Sequence, residues 1–90
     1  MIFLLNALAT ELKLRGFSNN TVQAYMHYNQ GFLNFCKKDP NDVSEMDAKE
    51  YLAYLISEKR LKPASLSLAL SALKFYYGEV LKKKVVSGIK

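Results

Sequence analysis

Between Glu11 and Asp39 the chain carries no acidic residue, and within that window stand Asn19, Asn20, Gln23, His27, Gln30 and Asn34, followed by Lys37 and Lys38. At about 100° per residue these fall on one side of a helix. The other side holds Thr21, Ala24, Tyr25, Tyr28, Phe32, Phe35 and Cys36 and reads as core. An amide side chain donates and accepts at once, which suits a base edge, adenine N6/N7 above all, at about 1–3 kcal/mol of discrimination per bidentate pair. Lysines at the end of such a face anchor phosphates. A second face, Ser67, Ser71, Lys74, Gly78 and Lys82, also recurs at helical spacing and is made of small or basic side chains. Gly78 costs about 1 kcal/mol of helix propensity against alanine. Close approach of DNA or of another helix explains it, and so does fraying near a helix end. An ordinary solvated surface is the competing reading of both faces.

The groups that catalysis needs are sparse. His27 has no carboxylate or serine at an interpretable spacing and is read as a surface residue or a DNA contact. Cys36, on the apolar edge, is read as an inert small hydrophobe. Glu45, Asp47 and Glu50 are explained by helix capping and solvation. No glycine-rich phosphate loop and no triad stands out. One cysteine excludes an intramolecular disulfide, and with one histidine it cannot complete a zinc site. Neither a cofactor nor a small-molecule substrate is expected. Six tyrosines and five phenylalanines could stack single-stranded nucleic acid, but most fall on inward stripes, with Tyr54 the plainest exposed exception.

The elements that position these residues are helical. Leu4, Leu5, Leu8, Ala9 and Leu12 give a first helix over 3–14, stopped at Arg15-Gly16 by a glycine suited to the left-handed cap. Ser18 caps a second helix over 19–37, and Phe17 plugs the hinge between the two. Asp39-Pro40-Asn41-Asp42 is turn chemistry, and Ser44-Glu45-Met46-Asp47 reads as a capping box. The third helix, over 45–58, turns Ala48, Tyr51, Leu52, Leu55 and Ile56 inward. Pro63 fits a first helical position and opens a fourth helix over 63–83, with Leu66, Ala69, Leu70, Leu73, Tyr76, Tyr77, Val80 and Leu81 inward. After Lys82-Lys83-Lys84, the stretch Val85-Val86-Ser87-Gly88 reads as entry into a linker. The expectation is one all-α domain over 1–84, with linker from 85 to 90.

Ninety residues, 50% hydrophobic, suffice for one core, and a chain of this size buries about 60% of its unfolded surface. The net charge of +5 is segregated. Residues 1–38 hold four cations against one acid, net +3; residues 39–58 hold one cation against six acids, net −5; residues 59–90 hold eight cations against one acid, net +7. A body with a basic side and an acidic side favours a polyanionic partner on the former. The apolar start Ile2-Phe3-Leu4-Leu5 gives way to Asn6 and Glu11 without a basic leader, and no apolar run approaches about 18 residues. Neither export nor membrane insertion is expected, and the cysteine usage fits a reducing, cytoplasmic setting.

The sequence resembles the N-terminal core-binding domain of the tyrosine recombinases, the Xer and phage integrase family, over roughly residues 4 to 83. The resemblance lies in Leu14-Arg15-Gly16-Phe17-Ser18 followed by Thr21, Tyr25, Phe32 and Phe35; in Asp47 with Tyr51-Leu52; and in Pro63, Ser65 and Leu70-Ser71-Ala72-Leu73-Lys74-Phe75-Tyr76. It implies a compact four-helix, SAM-like bundle that forms half of a C-shaped clamp. Helices two and four would lie on duplex DNA near a recombination crossover, and other recombinase protomers would be partners in a synaptic assembly. By position it adds Thr21 and Ser65 to the contact candidates Asn19, Asn20, Gln23, His27, Gln30, Ser67, Ser71, Lys74 and Lys82. Leu68 and Ala69 stand where the family often has arginines, and Ala64 where an arginine commonly follows the proline, which shifts the expected phosphate grip to Lys62 and the lysines at 82–84. The family's strand exchange uses a tyrosine, two arginines, a lysine and histidines of a separate C-terminal domain. Arg15 and Arg60 are the only arginines here, so the chain is expected to bind DNA without cleaving it. A small helical protein-interaction module is the alternative.

Overall fold

The computed structural model describes residues 5–86. Four α-helices, α1 (Asn6–Leu14), α2 (Asn19–Cys36), α3 (Glu45–Ser57) and α4 (Pro63–Lys74), are followed without a break by a π-helical segment, Phe75–Val80. Helix α2 packs against the other three helices, most extensively against α4, and α1 also meets the π segment. The fold is thus an all-α bundle.

Local chemistry sets most boundaries. Gly16 takes φ +81°, and the Gly16 N–H bonds to Lys13 O at 3.0 Å while the Phe17 N–H bonds to Leu12 O at 3.1 Å. This is the paired closure of a Schellman turn, which needs a left-handed residue that glycine supplies without a Cβ clash. Ser18 accepts the Thr21 N–H through Oγ at 3.2 Å. Ser44 and Asp47 form a reciprocal capping box at the start of α3, satisfying two N–H groups that a helix start leaves unpaired. Pro63 opens α4, where its missing N–H has no intrahelical partner to lose. At the start of α1, Leu5 lies outside helical geometry and the helix begins at Asn6, with part of the expected 3–14 span outside the described residues.

The core joins Leu8 and Leu12 of α1, Val22, Phe32 and Leu33 of α2, Ala48, Tyr51, Leu52 and Leu55 of α3, Ala69 and Leu73 of α4, and Tyr76 and Tyr77 of the π segment. Each large apolar side chain fully withdrawn from water contributes about 1.5–3 kcal/mol. Several expectations require correction. Ile56 is 53% exposed and Phe35 39% exposed, the Phe35 ring keeping one side against Tyr51 at 5.5 Å between centroids. Tyr54 is half-buried, its ring 4.9 Å from that of Phe35. Val85 and Val86, read as the entry to a linker, are buried in the core, so the packed body continues past residue 84 to at least Val86.

The fourth helix also departs from a regular 63–83 span. Its α-helical ladder ends at Lys74, and the chain then widens to five-residue spacing, as in the 2.9 Å bond from the Leu81 N–H to Tyr76 O. The change coincides with a side chain from outside the helix. Asn29 of α2 donates its amide to Ala72 O at 3.0 Å, a carbonyl that also takes the Phe75 N–H in a bond shared with Ser71 O. The segment stops when Lys82 turns left-handed at φ +58°.

Candidate nucleic-acid interface

Helix α2 contains no acidic residue, and its outward side is polar as the spacing requires. Asn19, Asn20, Gln23, His27, Asn34 and Lys37 are exposed, and Thr21 and Gln30 are half-buried. Two of these are already engaged inside the helix. Ser18 donates its hydroxyl to Thr21 Oγ1 at 3.1 Å, which makes Thr21 part of the cap, and Gln30 donates Nε2 to Asn34 Oδ1 at 3.2 Å. The latter bond ties two amides together along the face while leaving Gln30 Oε1 and the Asn34 amino group available.

The two lysines at the end of this face have different surroundings. Lys37 is the exposed, left-handed cap of α2. Lys38 reaches across to α3 and donates to both carboxylate oxygens of Asp47, at 3.1 and 2.9 Å. The bond holds the Asp47 carboxyl below its ordinary range, with the Ser44 N–H adding to the effect, and raises the Lys38 ammonium. The sequence pattern assigns both lysines to phosphates; both are exposed, but Lys38 is paired with Asp47 and fastens the α2–α3 corner, while Lys37 enters no ion pair among the described residues.

On α4 the small face is formed as expected. Ser67, Ser71, Lys74 and, beyond the α-to-π transition, Gly78 are exposed, with Ser65 half-buried and Lys62 exposed at the N-terminus. A Cβ placed on Gly78 meets nothing within 4 Å, so no internal contact requires a glycine there. Lys82 is exposed on the left-handed turn, and the next lysine is held: Lys83 Nζ donates to Asn41 O at 2.8 Å. The structure brings Lys83 beside Lys74 and Gly78, where with Val86 they line a shallow depression.

Two features are not visible in the sequence pattern. Asn29 is fully buried, and it donates to Tyr25 O at 2.9 Å as well as to Ala72 O. Its spacing from Val22, Phe32 and Leu33 puts it on the inward stripe, a signal that the surrounding amides mask. Arg15 bonds Glu11 at 3.0 Å and Glu79 at 3.1 Å and lies 5.1 Å from the Phe75 ring centroid. It therefore ties α1 to the π segment, a pairing across 64 positions that no local pattern reveals.

Burial, the largest influence, raises the Cys36 thiol above its usual range, which suits a neutral packing residue. Among the described residues no cluster of three His, Cys, Asp or Glu could hold a metal ion, and no helix is long and apolar enough to cross a membrane. His27 packs its ring edge-on to Tyr28 at 5.2 Å, at one end of a groove between α2 and α3 that Phe35, Tyr51 and Tyr54 also line.

A compact all-α bundle with two largely acid-free outer faces on its best-packed helix pair defines a small helical domain of the SAM-like class. Residues 4–86 match the family described as the phage integrase N-terminal SAM-like domain, and the chain belongs to that family, as its non-catalytic N-terminal domain. It is 30% identical over 76 residues to a Sinorhizobium fredii protein carried under the integrase/recombinase name, covering 84% of this chain and 25% of that protein. It is 30% identical over 78 residues to an Escherichia coli integrase/recombinase, covering 86% and 23%. It is 31% identical over 75 residues to the tyrosine recombinase XerC of Leptospira interrogans, covering 80% and 24%. The chain thus spans about a quarter of the length of these curated relatives.

Proposed function

We propose that this domain binds duplex DNA through the outward faces of α2 and α4, as one half of a clamp at a recombination site. In this reading it belongs to a cytoplasmic protein whose strand exchange is carried by a separate catalytic domain, with other recombinase protomers as partners in the synaptic assembly. The observation that carries the reading is the pairing of two outward faces with one hydrogen-bonded junction between their helices. The amide face of α2 and the serine, glycine and lysine face of α4 belong to helices that Asn29 fastens together through Ala72 O. Asn19, Asn20, Gln23, His27 and Gln30 would meet base edges or backbone. Lys37, Lys62, Lys74 and Lys82, with Ser65, Ser67 and Ser71, would position the phosphates.

The experiment is fluorescence anisotropy of the chain with a labelled duplex across a salt series. If about five basic side chains reach phosphates, log affinity falls against log salt with a slope of about −4 to −5. Lys74→Ala and the Gln23→Ala/Gln30→Ala pair should each weaken binding while the circular dichroism spectrum stays helical. A helical protein-interaction role is the second reading, favoured by the aromatic groove between α2 and α3 with Phe35 exposed at its edge. Absence of duplex binding at low salt, or binding indifferent to both variants, would decide for it.

A further inference from the structure

We propose that the depression lined by Lys74, Gly78, Lys83 and Val86 seats a single phosphate group of the DNA backbone. The inference rests on the DNA-binding reading and gives it a specific anchor.

Three observations converge on this place. The first is how the backbone builds it. Lys74 is the last residue of α4, Gly78 lies in the widened π segment, and the left-handed turn at Lys82 brings the chain back so that Lys83 lines the same depression. Val86, 2% exposed, holds the returning chain against the core. The second is the glycine. A helical position where an added Cβ would meet nothing within 4 Å would be more stable as alanine, so its bareness is unexplained by packing and leaves room for an outside atom to approach the backbone.

The third is charge. Neither Lys74 nor Lys83 takes part in any of the ion pairs found among the described residues. The nearest acid in sequence, Glu79, has its carboxylate drawn to Arg15. Lys83 is steadied by a neutral carbonyl, Asn41 O, which fixes the ammonium without cancelling its charge and leaves two N–H donors free. Two ammonium groups that enter no ion pair among the described residues, beside one bare patch of backbone, suit a compact anion with several acceptor oxygens, and a backbone phosphate is the one that duplex DNA presents at that scale.

The test is the same anisotropy titration, applied to Gly78→Leu, to the Lys74→Gln/Lys83→Gln pair, and to Lys49→Gln as a lysine on the acidic third helix. Each phosphate neutralised contributes about 0.9 to the salt slope, which over the decade below 1 M salt is roughly eightfold in affinity at 0.1 M. With one shared phosphate, the double lysine variant should lower the slope by about 0.9, and Gly78→Leu should weaken binding to a similar extent without altering any charge. Lys49→Gln should leave both quantities unchanged. A slope loss of about 1.8 in the double variant, or full affinity in Gly78→Leu, would overturn the shared seat while the wider DNA face stands. A parent chain that binds no duplex at low salt would overturn both. Should Gly78→Leu disturb the fold, the slope of the lysine pair still decides between one phosphate and two.

Discussion

The side-chain amide of Asn29, fully buried in α2, donates to the carbonyl of Ala72 in α4 across 3.0 Å, at the point where α4 leaves its α-helical ladder. One polar residue therefore bridges the two helices proposed to meet DNA, one turn before the place where the second of them widens. Its Oδ1 is buried without a protein partner, so the residue is retained at some energetic cost.

Asn29→Ala should lower the unfolding free energy by about 1–3 kcal/mol, because it deletes two hydrogen bonds and opens space at a closed helix contact. The midpoint of urea unfolding reads this directly. DNA affinity should fall as well, since both faces depend on the junction. A variant with the parent's midpoint would show that the cross-link holds nothing.

Gly31 carries a second steric prediction, with a change of sign built into it. A Cβ at Gly31 would lie 2.7 Å from the Tyr51 hydroxyl. That ring has little freedom to retreat, being 5.4 Å from Phe32 and 5.5 Å from Phe35 between ring centroids, and burial pushes its phenol up to about 12. Overpacking costs typically about 1–3 kcal/mol, against a propensity gain of about 1 kcal/mol for alanine over glycine within a helix. Gly31→Ala should thus destabilise the parent chain. In a Tyr51→Phe background, where the clashing oxygen is gone, the same substitution should stabilise. Equal effects in the two backgrounds, in a thermal-unfolding cycle, would rule out this contact as the cause.

Asp47 predicts a pH dependence. Lys38 and the Ser44 N–H hold its carboxyl below the ordinary 3.8, so the folded state favours the ionised form. Its contribution is fully present above the unfolded value and is lost as pH falls through the lower folded one. Asp47→Asn should cost about 1 kcal/mol near neutral pH, the usual size of a capping effect. The gap from the parent should narrow in acid, closing only once the pH lies below the lowered folded value. Urea unfolding at about pH 7 and at about pH 3 measures both, and a gap of constant size would mean that ionisation is not what Asp47 contributes.

What is legible in the sequence is short-range. Gly16, Ser18, the Ser44–Asp47 box and Pro63 act within one turn of a helix, and each does what its type and position dictate. The outward faces of α2 and α4 are legible for the same reason, since a 3.6-residue period places side chains before any tertiary contact forms. The misses are long-range. Asn29 reaches a carbonyl 43 positions away, Arg15 pairs with Glu79, and Asp47 takes Lys38 out of the free charge of the α2 face. Each depends on which surfaces meet, and periodicity within one helix carries no such information. The π segment is a case of both: the helical period turns Tyr76 and Tyr77 inward, as observed, but the widened spacing coincides with a partner on another helix.

Val85 and Val86 give the last test. Two valines behind three lysines have no helical period, and in sequence they look like the beginning of a linker. In the structure they are 6% and 2% exposed, packed in the core cluster that includes Tyr76 and Tyr77. Fully burying a valine contributes about 1.5–3 kcal/mol, a large part of what a domain of this size has to spare. A chain ending at Lys84 should therefore lose at least about 12 °C in thermal midpoint, from about 3 kcal/mol or more for the two valines at about 4–8 °C for each kcal/mol. Val85→Ala/Val86→Ala in the complete chain should show a smaller loss of the same sign, because one methyl group of packing remains at each site. If the shortened chain melted with the parent, the domain would close before residue 85 and the contact of Val86 with the Lys74–Lys83 depression would have no structural role.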